Sequence, residues 1–208
     1  MIRRPPRSTQ SRSSAASDVY KRQDMEVIGE AESGELGIKS YKELQPNLVI
    51  MDITMPGIGG IEAIDRILAN DKSARILVLS AHEDSVHPKR VLKAGALGYL
   101  TKRSAAEELI KAIRTVHSGK KYLEASIAQQ MAITNLSGEN NPVEILSDRE
   151  FEVFIALAKG KSTNEIADTM CLSPRTVGTH LYNIKQKLNA NNSAEIALIA
   201  IRCGLMEP

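Results

Sequence analysis

Apolar runs alternate with segments of helical periodicity between residues 25 and 118. Four short apolar runs, each bounded by turn residues, predict buried strands at 25–29, 48–51, 76–80 and 98–100. Apolar residues at helical spacing predict helices at 34–44, 60–69, 86–94 and 104–118. This alternation predicts a first domain at 24–118 of the α/β class, with a parallel sheet covered by helices on both faces.

The remainder of the chain has a purely helical pattern. A connector at 119–145 contains a helix at 125–135 and then a polar run at 137–142. Beyond it, Ser147 and Glu150 form a capping box that opens a helix to about residue 159. A short helix to Met170, a helix from Ser173-Pro174 to about residue 188 and a fourth at 193–202 follow. A short helix, a tight turn and a longer helix predict a helix-turn-helix domain at 146–208.

The helix at 174–188 has two different faces. Val177, Leu181, Ile184 and Leu188 fall on one side and are expected to pack inward. The segment also carries three cations and no acid, which suits contact with DNA phosphates. Composition alone favours a solvated amphipathic helix. As a recognition helix it would meet DNA through Arg175, Thr176, Gly178, Thr179, Tyr182, Asn183, Lys185 and Gln186.

Three polar side chains stand at the carboxyl ends of predicted strands. Asp52 follows 48–51, Ser80 ends 76–80, and Lys102 lies just beyond 98–100. Ligand sites of open parallel sheets lie at this edge. A carboxylate can accept a phosphoryl group as an acyl phosphate, and an ammonium and a hydroxyl can hold the new oxygens. Each residue alone is an ordinary turn or surface residue, but the three together, with the MDxxMPGxxG pattern around Asp52, form a far more specific signal.

These motifs resemble those of known bacterial proteins. The loop MDITMPGIGG, the strand end SAHED and the segment AGALGYLTK resemble a receiver domain of flavodoxin-like fold. The stretch from LSDRE to NSAEIA, residues 146–197, resembles a LuxR-type helix-turn-helix. The chain is thus similar to two-component response regulators of the NarL/FixJ family, and within it to GacA/LetA-like regulators.

The resemblance implies a function and a set of residue roles. Asp52 would be phosphorylated by a sensor histidine kinase, and Ser80, Tyr99 and Lys102 would form the phospho-switch. Phosphorylation would favour a homodimer that binds double-stranded DNA and regulates transcription in the cytoplasm. The fourth helix offers a dimer surface at Ala194, Ala197, Leu198 and Ile201. Because a receiver only transfers phosphate to itself, we do not expect an enzyme.

Two departures from the family pattern matter. Arg103 stands after Lys102, where receivers commonly have proline. The resemblance also implies Mg²⁺, which a receiver holds with an acidic pair at the end of its first strand. That pair is missing upstream of residue 25, so Asp52 is the one candidate ligand. We therefore expect a receiver without its first strand and helix, loosened and inefficiently phosphorylated.

Charge and amino-acid composition bear on the origin of the first residues and exclude some classes of protein. The net charge of +2 hides a basic segment at 1–23, with six basic residues and one acid. Its serines and prolines predict disorder, and it resembles translated adapter or vector sequence more than a transit peptide or a basic DNA-binding arm. No apolar run is long enough to span a bilayer. The rarity of aromatic residues argues against a binder of single-stranded bases.

Two other functions remain as alternatives. A non-functional receiver would leave a LuxR-type protein that binds DNA without phosphorylation. More remotely, the first domain could be a small α/β phosphatase with Asp52 as nucleophile. The sequence lacks the glycine-rich phosphate loop and second catalytic acid that a phosphatase of this kind would use.

Overall fold

A parallel sheet organises the first part of the computed structural model, which describes residues 24–82, 84, 86–136 and 141–206. Within those residues the sheet has the spatial order β1-β2-β3-β4, and every neighbouring pair is parallel. The strands are β1 (Val49–Met51), β2 (Ile76–Ser80), β3 (Gly98–Thr101) and β4 (Tyr122–Leu123). Strand β4 was not predicted from the sequence. The predicted α/β class is confirmed.

Helices precede, separate and follow the strands. They are α1 (Gly34–Leu44), α2 (Gly60–Asn70), α3 (Val86–Lys93), α4 (Ala106–His117) and, after β4, α5 (Ala125–Leu136). Leu109, Ile113 and Val116 of α4 pack with Leu77 and Leu100 of the sheet in one core cluster. Helix α2 buries Ile61, Ile64 and Ile67. The helical spacing predicted at 104–118 therefore identified the buried face of α4.

The predicted strand at 25–29 is wrong. Its residues are half-buried, and Met25 packs against the core cluster of the sheet. Only Val27 has a bridge-type backbone pairing, however, and no strand forms among these residues. Apolar composition predicts burial, but a strand also needs a neighbouring backbone in register, which is a non-local condition.

The chain divides into two compact units. The first combines residues up to Glu83 with Val91–Ala128, and the second combines Asp84–Arg90 with the residues from Gln129 onward. Residues 1–23 of the predicted leader and 137–140 of the predicted polar run lie outside the described residues. None of the helices in the described part of the chain has the length and apolar character that a membrane span needs.

The second unit is helical around an apolar core. A 3₁₀ helix (Pro142–Ile145) precedes α6 (Asp148–Ala158), α7 (Thr163–Met170), α8 (Pro174–Leu188) and α9 (Ser193–Arg202). The predicted capping box is present, because Ser147 Oγ accepts from the Glu150 amide while Glu150 accepts from the Ser147 amide. A large part of the core comes from Phe151, Phe154, Ile166, Ile184 and Ile196.

Hydrogen bonds hold the carboxylate of Glu150 in the second unit. Its Oε2 also accepts from Lys187 Nζ at 2.6 Å. Burial acts to raise the pKa of Glu150, but hydrogen bonds from Lys187 and Ser147 outweigh burial and hold it below its ordinary value. The stabilisation is complete above the ordinary glutamate pKa of about 4.3 and disappears as the pH falls through the lower folded-state pKa.

We therefore expect the melting temperature of the second unit to fall as the pH is lowered from about 5 to about 3. Glu150→Gln should make that dependence shallower, whereas Glu32→Gln at an exposed position should not. Circular dichroism melts of the full chain at several pH values measure both. An unchanged slope in Glu150→Gln would show that this carboxylate does not contribute.

Candidate phosphorylation site and DNA-binding helix

Asp52 lies at the edge of the sheet where predicted. It follows β1 directly, and its Oδ1 accepts the Thr54 amide at 2.9 Å, which folds the chain back after the strand. Its Oδ2 accepts a hydrogen bond from Lys102 Nζ. The Asp52 side chain is 31% exposed, so a phosphodonor can reach it.

Ser80 is linked to Lys102 through the backbone. The parallel register places Ser80 opposite Thr101, and the Lys102 amide donates to the Ser80 carbonyl at 2.7 Å. The Ser80 side chain is fully buried, and its Oγ accepts from the His82 amide at 3.1 Å. Accepting uses a lone pair, so the hydroxyl proton can still be donated to an oxygen. Asp52 and Ser80 therefore both contact Lys102, Asp52 through its side chain and Ser80 through its backbone carbonyl.

Tyr99 points into the protein. It is fully buried, and its hydroxyl donates to the His82 carbonyl at 2.7 Å. In this structure the predicted switch tyrosine thus already occupies an inward position beside the loop that follows Ser80.

Sequence reasoning did not single out three residues around this site. The ring Nε2 of His82 lies 3.3 Å from Thr54 Oγ1. The His82 amide also donates to Ser80 Oγ, and the His82 carbonyl accepts from the Tyr99 hydroxyl. Glu35 Oε1 accepts the Ile58 amide in the loop that follows Asp52. Glu124 accepts bonds from the turn that carries Lys102. His82 lies within SAHED, but that motif does not indicate its contact with Thr54, and no sequence motif marks Glu35 or Glu124. Each of the three acts across a gap between distant segments.

The described residues do not form a magnesium site at Asp52. Mg²⁺ requires near-octahedral oxygen ligands, usually from more than one carboxylate. The one group of three potential metal ligands in the described ranges does not include Asp52. Both Asp52 oxygens already accept hydrogen bonds. The side chains described here therefore do not fit a resident Mg²⁺ ion.

Helix α8 begins and ends with local signals. Ser173 Oγ caps it by accepting the Thr176 amide at 3.1 Å, and Pro174 is its first residue. Asn189 ends it in the left-handed conformation at φ 52°. The turn before it starts at Cys171, which caps α7 in the same conformation. The predicted helix-turn-helix is present.

The faces of α8 agree with the predicted amphipathic pattern. Val177 and Ile184 are fully buried, and Leu181 and Leu188 pack partly buried against the same core. Tyr182 is 64% exposed, the largest side chain on the outer face. Of the other residues predicted to meet DNA, four are exposed and three are half-buried: Arg175, Thr176, Thr179 and Gln186, then Gly178, Asn183 and Lys185.

The lysines near the end of α8 have protein partners. Lys185 Nζ donates to the Asn191 carbonyl at 3.1 Å, and Lys187 is paired with the buried Glu150. On α9 the residues that face the core are Ile196 and Ala200. The predicted dimer surface is a different face, which exposes or half-exposes Ala194, Ala197, Leu198 and Ile201.

Two known families match the chain. The family described as "Response regulator receiver domain" matches residues 10–114, and "Bacterial regulatory proteins, luxR family" matches residues 144–200. The receiver match begins inside the predicted leader, whose origin stays a prediction.

Relatives cover most of the chain. Response regulator GacA of Pseudomonas viridiflava is 38% identical over 185 residues, 88% of this chain and 86% of that protein. Response regulator UvrY of Escherichia coli K12 is 39% identical over 183 residues, 87% and 84% of the two chains.

A solved structure shares the fold. RcsB from Salmonella enterica serovar Typhimurium, bound to promoter rprA in the presence of phosphomimetic BeF₃⁻, has a TM-score of 0.58 at 25% identity. The similarity covers 83% of this chain and 84% of that one. Together with its receiver sheet and helix-turn-helix, these matches establish that the chain belongs to the two-component response regulators that join a receiver domain to a LuxR-type DNA-binding domain.

Proposed function

We propose that this response regulator is a cytoplasmic transcription factor controlled by phosphorylation of Asp52. A sensor histidine kinase supplies the phosphoryl group, and the phosphorylated chain dimerises and binds specific double-stranded DNA through α8. The observation that carries the proposal is the convergence of Asp52 and Ser80 on Lys102 at one edge of the sheet.

The chemistry is a phosphoryl transfer to a carboxylate. An Asp52 oxygen attacks phosphorus, a new O–P bond forms, and the P–N bond to the kinase imidazole breaks with its electron pair leaving on nitrogen. The Lys102 ammonium already contacts Asp52 Oδ2, so it neutralises charge where the phosphoryl oxygens develop. The Ser80 hydroxyl, which keeps its proton to donate, would bond one of those oxygens.

DNA recognition is assigned to the outer face of α8. That face offers hydroxyl, amide and cationic groups without a carboxylate on the same helix. The RcsB structure with promoter DNA supports this role by homology. Two copies joined through the outer face of α9 would present two such helices to a symmetric site.

Phosphorylation from acetyl phosphate with Mg²⁺ tests the central step. We expect intact mass spectrometry to detect a phosphoryl group on the full chain and on Asp168→Asn, an exposed aspartate in the second unit, but none on Asp52→Asn. The yield should stay below one per chain, because no group of three potential metal ligands in the described ranges includes Asp52. Equal labelling of Asp52→Asn would assign the acceptor elsewhere.

The lack of a described group of metal ligands around Asp52 also favours a second function, DNA binding without phosphorylation. It predicts equal affinity for DNA before and after treatment with acetyl phosphate. A gel-shift titration of both samples against a duplex selected from a random pool separates the two functions.

A further inference from the structure

One carboxylate oxygen of Glu124 holds the turn that carries Lys102. Its Oε2 accepts the Thr101 amide at 3.0 Å and the Ser104 hydroxyl at 2.6 Å. Thr101 Oγ1 and Ser104 Oγ also lie 2.9 Å apart. The residues on both sides of Lys102-Arg103 are therefore tied to a single atom.

Glu124 is itself fixed between two elements. Its amide donates to the Tyr99 carbonyl at 3.4 Å, directly after β4, and its carbonyl accepts the Ala128 amide in the first turn of α5. Ser126 Oγ donates to the second carboxylate oxygen, Oε1. The side chain is thus an anchored acceptor that reaches back from the end of β4 to the turn after β3.

Within the turn itself, the Ser104 amide donates to the Thr101 carbonyl at 3.2 Å, and Glu124 adds its two bonds to that one. Arg103 lacks the ring that fixes φ in proline, so residue 103 does not constrain the backbone after Lys102 as proline would. The Lys102 amide is held by Ser80, and Lys102 Nζ spans to Asp52. A shift of the turn would move both the amide and the start of this long side chain.

We propose that Glu124 is a positioning residue for Lys102, holding its ammonium at the oxygen of Asp52 that receives the phosphoryl group. The inference rests on the proposed phosphorylation of Asp52. Glu124 does not contact Asp52 or the phosphodonor, and it acts through the Thr101–Ser104 turn.

The ionisation of Glu124 agrees with this role. Burial acts to raise its pKa, but hydrogen bonds from Ser104, the Thr101 amide and Ser126 outweigh burial and hold it below the ordinary value. An ionised carboxylate forms stronger and shorter hydrogen bonds than a neutral acceptor.

The initial rate of Asp52 labelling by acetyl phosphate, measured against donor concentration, tests the proposal. Glu124→Ala should lower the maximal rate about tenfold, because the Lys102 ammonium would be misplaced. The affinity for the phosphodonor should change less than the maximal rate. Glu124→Gln retains an amide oxygen as acceptor and should recover most of the rate. Glu107→Ala removes an exposed carboxylate from α4 instead and should match the wild type.

A double-mutant cycle separates positioning from general support of the fold. In a Lys102→Ala background, Glu124→Ala should lower the rate no further. If Glu124→Ala does not fold, Ser104→Ala replaces it, and we expect an intermediate loss of rate.

A wild-type labelling rate in Glu124→Ala, or in Ser104→Ala where that variant replaces it, would overturn the inference. A further loss of rate on adding Glu124→Ala to Lys102→Ala would also overturn it. Absence of label on the wild type would overturn the proposed function and this inference with it. Labelled wild type with an unaffected variant overturns this inference alone.

Discussion

Replacing Gly60 with alanine is expected to destabilise the first unit by about 3 kcal/mol or more and to abolish phosphorylation of Asp52. Gly60 is the first residue of α2, and its amide donates to the Ile53 carbonyl at 3.2 Å. A Cβ there would lie 2.2 Å from the Asp52 carbonyl oxygen and 2.5 Å from Ile53 Cα. Both atoms belong to the backbone, so they cannot rotate away as a side chain would.

Gly37→Ala is the matched control. Gly37 also lies in a helix, α1, but a Cβ at that position would meet nothing within 4 Å. Alanine should stabilise this helix by about 0.5–1 kcal/mol, because glycine loses more backbone entropy on folding. Urea unfolding of the full chain measures the free energy of each variant. Unfolding of Gly60→Ala at the wild-type midpoint would contradict the close packing of α2 on Asp52.

Replacing Tyr182 or Thr179 with alanine is expected to reduce sequence-specific DNA binding, each by about 1–3 kcal/mol or roughly 5- to 150-fold. Both side chains are exposed on α8, so their removal should not unfold the domain. Affinity for unrelated duplexes should change little, because contacts to base edges carry the sequence preference. Gel shifts with a selected duplex and a scrambled one measure the difference.

Lys185→Ala should instead weaken binding to every sequence and reduce the salt slope by about one, as expected for a phosphate contact. Its Nζ also contacts the Asn191 carbonyl, so a thermal melt must accompany the titration. Lys39→Ala, at an exposed position of α1, serves as the charge control. Binding that is unchanged in Thr179→Ala, Tyr182→Ala and Lys185→Ala would exclude α8 as the recognition helix.

The helices of this protein were predictable because their signals are local. The Ser147–Glu150 box and the Ser173-Pro174 start predicted helix boundaries within one residue of those observed. Capping bonds join residues three apart in the chain, so a short stretch of sequence contains both partners. The strands were less predictable. The segment 25–29 forms no strand, and Tyr122–Leu123 pairs with β3 although only two residues long.

By itself the sequence determined the class of the fold, the amphipathic face of α8 and the candidate site residues at three strand ends, Asp52, Ser80 and Lys102. Those features depend on periodicity, caps and the rule that strand ends share one edge of a sheet. Only the tertiary structure placed Tyr99 inward against His82, paired Lys187 with Glu150 and brought Glu124 to the Lys102 turn. Each of those contacts joins segments far apart in the chain, and the packing that brings them together has no local signature in the sequence.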